Sequence, residues 1–200
     1  MKKFIPILSA CWLFAYCQSP ADAIKEAFNK VNQSLDSSNE IIVAAYEQHY
    51  ASIRKNRQRD TSLAMKADSI YSTTVTTSNY LDSLMQEIKT KDSSGTKSNI
   101  AGKMLIGTNA EKRLSSLLLQ HDKHISEYIT DSSQLRSEGN LITNEVKTNP
   151  GWAKDLFEMT PTMSAITILH SLQMEVINNC KFVLLKIQLQ MTGSTPAIKQ

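Results

Sequence analysis

The feature that most constrains this chain is the spacing of its apolar residues. They recur at intervals alternating between three and four, and only an α-helix gathers residues so spaced on one face. Ile24, Phe28, Val31, Leu35, Ser38, Ile42, Ala45, His49 and Ile53 make one such seam and predict a helix over about 22–56. Leu63, Ala67, Ile70, Thr74, Thr77, Leu81, Leu84 and Ile88 make a second, over about 62–91. A third carries Leu114, Leu117, Leu118, His121, Ile125 and Tyr128, and the last carries Ile166, Leu169, Gln173, Val176, Cys180, Val183 and Ile187. Glycine and proline are scarce, with 6 and 5 copies in 200 residues, so the chain has few turns and long elements. One amphipathic helix gains little in water, whereas four can close around a shared core. The expected fold is therefore all-α: four long antiparallel helices, with an irregular connection before the last.

Local signals mark the helix ends. Asp92–Ser98 is a loop by composition. Thr108-x-x-Glu111 is a capping box, in which each side chain satisfies a backbone donor of the first turn. Thr160-Pro161 reads as a cap followed by the first helical residue, where proline's missing N–H costs nothing. From about 131 to 159 the pattern fails, apart from Leu141-Ile142.

The first twenty-three residues read as an export signal. Lys2-Lys3 precedes an apolar run, Phe4–Cys17, that is shorter than the roughly twenty residues a membrane-spanning helix needs. Pro20-Ala21-Asp22-Ala23 supplies the small residues of a cleavage site. Leu8-Ser9-Ala10-Cys11 resembles a lipidation box, and Cys17 is the better-placed acceptor but follows bulky Tyr16. Simple cleavage, lipidation at Cys11 or Cys17, and an uncleaved short anchor are the three alternatives, and membrane contact follows only from the last two. The expected organisation is a signal at 1–23, a helical bundle at 24–190 and a flexible tail at 191–200. Cleavage after Ala23 leaves Cys180 alone, so no internal disulfide is expected.

Chemistry is sparse. The formal charge is +3, and removal of 1–23 leaves 20 basic and 18 acidic residues, a balance that points to no polyanionic partner. No basic stripe with interleaved aromatics supports nucleic-acid binding. His121 and His124 share a helix face but lack the further ligands of a stable metal site, and read as a seam residue and its neighbour. His49 reads as a seam-edge residue and His170 as a surface one. Glu145 and Glu158 show nothing of an acid/base pair, and the Thr-rich run Ser72–Ser78 reads as a solvated face. Thr74 and Thr77 form a polar layer in mid-seam whose hydroxyls can bond back one turn. No cofactor, metal or catalytic residue is expected, and the role is non-enzymatic. Trp152 and Phe157, before Pro161, either plug the end of the bundle or form a partner-binding corner, since exposed aromatics anchor interfaces.

The segment Trp152-x4-Phe157-x-Met159-Thr160-Pro161-Thr162-Met163-Ser164-Ala165-Ile166-Thr167-Ile168-Leu169, with Leu172-Gln173-x-Glu175-Val176, resembles the N-terminal periplasmic domain of the GldM/PorM family. Glu26-Ala27-Phe28-x-x-Val31-Asn32-x-Ser34-Leu35-x-x-Ser38-Asn39 resembles the stretch after that family's transmembrane helix, and Ile106-Gly107-Thr108 through Leu114 is a weaker match. The resemblance implies a helical-bundle domain of the type IX secretion and gliding-motility machinery. Its members are dimeric, anchored in the inner membrane beside GldL, and reach through later immunoglobulin-like domains to an outer-membrane-associated ring. Here the apolar segment 4–17 is shorter than their transmembrane helix, and Gln200 comes before any counterpart of the later domains. The expectation is thus a stand-alone, exported interaction module with protein partners in the cell envelope, secretion or gliding components among them, or a second copy of itself. The rival expectation is a periplasmic small-molecule sensor with Thr74 and Thr77 lining its pocket.

The seam assignment is directly testable. Ile166→Asp places an uncompensated charge in the last seam and costs upwards of about 4 kcal/mol. Loss of the cooperative thermal transition is expected; a melt matching wild type refutes the seam.

Overall fold

The computed structural model describes residues 20–127 and 141–193. Cys11, Cys17, the apolar run 4–17, Tyr128 and most of the tail lie outside these residues. The described chain is all-α. It contains α1 (Pro20–Lys55), α2 (Thr61–Lys91), α3 (Ile100–Leu105), α4 (Asn109–Ser126), α5 (Leu141–Thr148), α6 (Trp152–Phe157) and α7 (Thr162–Thr192). The long ones are α1, α2, α4 and α7; α1 and α2 end within two residues of the predicted 22–56 and 62–91. Residues 20–23, the expected cleavage site, form the first turn of α1. At the other end α7 continues past 190 to Thr192, and Met191 is buried, so the helix runs into the stretch read as a tail.

α7 is the central helix. Its whole expected seam is buried, and so are Ala165, His170, Leu172, Ile177 and Leu184 on its flanks. Glu175, Lys181 and Lys186 are its charged residues in a length of 31. A helix apolar around most of its circumference must be enclosed, and α1, α2 and α4 all pack on it.

Enclosure is achieved with a different helix order from the expected antiparallel one. Asn32 meets Thr167 at 2.9 Å, Asn39 meets Gln173 at 3.0 Å and His49 meets Gln188 at 2.7 Å. The residue numbers climb together, so α1 and α7 run parallel. α2 runs against both: Tyr50 donates to Asp68 and Tyr71 to Glu47, each at 2.8 Å, while Gln173 reaches back to Ser78 and Asp82. The stacked rings of Tyr50 and Tyr71, 3.9 Å between centroids, close the tip of the α1–α2 hairpin. Parallel neighbours need a return segment. The region read as irregular contributes two short helices to it, α5 and α6, of eight and six residues. Helices that short show too little periodicity to be recognised, and the same holds for α3.

The first seam is also displaced. Asn32, Asn39, Tyr46 and Ile53 face inward, whereas Ile24 and Val31 are 59% and 45% exposed. The amides turn in because α7 presents Thr167 and Gln173 opposite them. In α2, Thr74 and Thr77 are buried with Thr73, so the Thr-rich run is not a solvated face. Thr74 donates to the Ile70 carbonyl and Thr77 to the Thr73 carbonyl, as the back-bonding argument requires.

The start of α7 is fastened from another part of the chain. Pro161 occupies the cap position and the helix begins at Thr162, one residue later than expected. No side chain caps it. Instead Thr162 N–H donates to the Lys97 carbonyl and Met163 N–H to the Gly95 carbonyl, satisfying helix donors that water or a cap would otherwise take. Gly95 adopts φ +77°, and a Cβ there would meet Met163 Cγ at 2.6 Å, so only glycine fits. Asp92 shapes this loop by accepting from Ser94 N–H, the Ser94 hydroxyl and Lys97 N–H. The capping box closes slightly off its expected pairing: Thr108 accepts from Ala110 and Glu111, but Glu111 reaches Gly107 N–H, at 2.6 Å, because Thr108 N–H is already bonded to Leu105.

Burial pushes the Asp92 carboxyl up, but donors from Ser94, Lys97, Thr162 and Gly95 outweigh it and hold the group at about 2. The folded value lies below the ordinary one. Its stabilisation is therefore present above the ordinary carboxylate range and is lost as pH falls through about 2. Asp92→Ala is expected to cost about 2 kcal/mol at neutral pH through lost charge-assisted bonds. A melting temperature lowered by about 4–8 °C, with a weaker acid dependence below the carboxylate range, is the result to look for by calorimetry.

Candidate interaction site and the buried polar layer

The core is divided in two. One apolar cluster gathers Leu81, Leu84, Leu105, Leu114, Trp152, Phe157, Ile166 and Leu169 near the α7 N-terminus. The other gathers Tyr46, Ile53, Ala67, Ile70, Ile125, Cys180, Val183 and Ile187 near its C-terminus. Between them lies a polar layer. Gln173 Nε2 donates to Asp82 Oδ1 at 2.8 Å and to Ser78 Oγ at 2.9 Å, and Gln173 Oε1 accepts from Asn39 Nδ2. Three helices are thereby joined through one glutamine.

Trp152 and Phe157 belong to the first core cluster. Trp152 is 2% exposed and Phe157 is fully buried; their rings meet edge to face at 6.2 Å, and Trp152 Nε1 donates to Ser115 Oγ at 3.1 Å. The rings therefore close the end of the bundle, as the first of the two sequence readings has it. Both rings are withdrawn from the surface, because α3, α5 and α7 pack around α6 and Ser115 of α4 holds the indole. Pro161 is the exposed member of the three. The edge of Trp152 still contributes to a surface groove of about 580 Å³ between α4 and the α5–α6 segment, with Ser115, Leu119, Val146 and Pro150. No sequence signal distinguishes Leu119, an exposed residue beside a buried seam.

Histidine placement departs from expectation at one position. His170 is buried, not a surface residue, because α1 lies alongside α7 and covers it. Its Nδ1 is 3.5 Å from Asp36 Oδ1, yet burial keeps its pKa below the ordinary value. His49 is half-buried at the seam edge, as expected. His121 is buried within the seam. Among the described residues no cluster of three or more His, Cys, Asp or Glu is placed to hold a metal. Cys180 is fully buried, and burial pushes its thiol up to about 12, so it stays protonated and unreactive. Thr74 and Thr77 have no exposed surface and bonded hydroxyls, which removes them as the lining of an open ligand pocket. No helix among the described residues is long and apolar enough to cross a membrane.

An enclosed central helix, a parallel partner and an antiparallel one define a helical-bundle domain with a polar layer across its middle. The chain belongs to the GldM N-terminal domain family, which matches residues 24–188, nearly its whole length. That membership links it to gliding motility and type IX secretion, whose components of this family are structural parts of an envelope machinery. No curated protein matches the chain.

Burial pushes the His121 pKa down to about 4; His124 adds to the shift and the Val176 backbone opposes it. Between the ordinary histidine range and about 4 the unfolded chain binds a proton that the folded chain refuses. Stability at this site is therefore complete above the ordinary value and falls as pH drops toward about 4. The loss at pH about 5 amounts to about 2 kcal/mol. In His121→Leu the fall in melting temperature between pH about 7.5 and about 5 is expected to shrink; an unchanged slope assigns the acid sensitivity elsewhere.

Proposed function

We propose that this protein is a non-enzymatic, exported interaction module of the gliding-motility and type IX secretion machinery, acting in the periplasm. The observation that carries this reading is the family match across residues 24–188. The basic start and short apolar run of residues 1–17 support export. Binding uses exposed apolar residues that the fold leaves uncovered. Ile24 and Val31 are seven residues apart on α1 and share a face beside the α7 contact, with half-buried Phe28 and Leu35 completing the stripe. Leu119, at 42% exposure, stands at the mouth of the groove over Trp152. Exposed apolar side chains arranged in line are the features of a monomer surface that partners cover. The partner is an envelope protein or a second copy of this chain.

The test is co-purification from native cell envelopes with a tag after Gln200 and mild crosslinking. Recovery of secretion or gliding components is expected, and Ile24→Asp combined with Val31→Asp should reduce it several-fold without lowering the melting temperature. Recovery of the protein alone, from envelopes whose machinery is intact, overturns the proposal.

A further inference from the structure

α1 and α2 meet where Tyr46, Glu47 and Tyr50 face Asp68 and Tyr71. Farther down they part over α7 and leave a cleft of about 480 Å³. Its floor is Gln173; its walls carry Asp36, Asn39 and Glu40 from α1 and Ser78 and Asp82 from α2. Three carboxylates thus line one cleft, although the chain as a whole has a net charge of +3. Among the described residues none of the three is paired with a lysine or arginine. Asp36 has His170 at 3.5 Å, and Lys25 and Lys89 line the adjoining pocket that it shares with His170, so Glu40 and Asp82 carry most of the cleft's unbalanced charge.

A second, independent feature points the same way. Asn39 is 5% exposed, and its Oδ1 has no hydrogen-bond partner. The orientation of this amide is fixed by chemistry. A carboxylate accepts hydrogen bonds, so the Gln173 group facing Asp82 is Nε2. Gln173 Oε1 then faces Asn39 and must receive Nδ2. What is left over, on the residue lining the cleft, is an acceptor. Buried acceptors without donors are rare and mark sites where a partner is missing. A donor carrying positive charge satisfies the orphan oxygen and the carboxylates together.

The carboxylates are spread around the cleft and do not converge as metal ligands do. Spacing of that kind suits a cation whose charge is distributed or repeated along a chain. We propose that this cleft binds an organic cation, an ammonium or guanidinium group, with Asp36, Glu40 and Asp82 balancing its charge and Asn39 Oδ1 accepting one of its N–H bonds. The group belongs to a small polyamine or to a Lys or Arg side chain of a bound peptide. This site is independent of the α1 stripe and of the groove over Trp152, so it stands or falls separately from the proposed envelope role.

The experiment is calorimetric titration of the full chain with spermidine, with arginine amide, and with a short Lys/Arg peptide, alongside Mg2+ and Ca2+. Saturable binding near one equivalent with a Kd below about 1 mM is expected for at least one organic cation. Asp36→Asn combined with Glu40→Gln changes exposed residues, so the melting temperature should hold while affinity falls about tenfold. Glu87→Gln, on the exposed part of α2, should leave it unchanged; should the double variant fold poorly, Glu40→Gln alone takes its place. Binding of spermidine identifies a small amine as the occupant, whereas binding of the peptide alone identifies a side chain. The proposal is overturned if no organic cation saturates by about 10 mM, if the carboxylate variants bind as wild type does, or if Mg2+ or Ca2+ binds equally well.

Discussion

With Glu175, Lys181 and Lys186 as the charged residues in 31, α7 cannot stand at a surface, and the rest of the bundle is arranged to enclose it. Full burial of a large apolar side chain contributes roughly 1.5–3 kcal/mol, and Ile166, Leu169, Leu172, Val183, Leu184 and Ile187 all reach it. Much of that gain is offset by the entropy of ordering the chain. Enclosure from several sides therefore matters more than any single contact. It also explains why α1 runs parallel to α7. An antiparallel α1–α2 hairpin that lays both arms on one helix must place one arm parallel to it. Whichever direction α7 takes, the hairpin cannot oppose it twice.

Burying a helix leaves its N-terminal donors without water, and here they are met by carbonyls from the 92–97 loop. The arrangement couples distant parts of the chain. Asp92 shapes the loop, Gly95 permits the turn, and the loop fixes where α7 begins. Farther along, the Asn39–Gln173–Asp82 chain of hydrogen bonds fixes the register of three helices at once. Apolar layers tolerate sliding, whereas a buried polar contact is satisfied in one register only, and such groups can specify alignment at some cost in stability. The orphan Asn39 oxygen is part of that cost. The division of the core at this level follows: apolar side chains cluster on either side of a layer that they cannot enter without displacing its hydrogen bonds.

Helix identity was legible wherever the seam was long. α1 and α2 start and end, and α4 and α7 start, close to where spacing and capping residues put them, and the back-bonded Thr74 and Thr77 follow from chemistry within one helix. What could not be read depends on neighbours. Val31 and Asn32 are adjacent on α1, and periodicity favours the apolar one; Asn32 wins because Thr167 stands opposite, a fact about α7. His170 read as a surface residue because nothing in the sequence announces a parallel helix alongside it. The six- and eight-residue helices α3, α5 and α6 carry fewer than three turns each and leave no periodic trace. Within the candidate site, two aromatics in the irregular segment and the proline that opens the last helix picked out Trp152, Phe157 and Pro161, but burial separated the first two from the third.

That separation bears on what the resemblance itself can report. Many of the residues that carry it, Trp152, Phe157, Ala165, Ile166, Leu169, Leu172, Gln173 and Val176, are buried in the bundle. Side chains in such positions are constrained by volume and by hydrogen-bond satisfaction, whatever the domain binds. They report that this chain builds the same kind of bundle, and they say little about which molecule it meets. Partner choice is open only to side chains that reach the surface, and Ile24 and Val31 on α1 and the acidic walls of the α1–α2 cleft are among those that do. Two domains of this family can therefore share the motif from Trp152 to Val176 and the fold it specifies while differing in every contact they make, because core and contact surface are subject to different physical requirements.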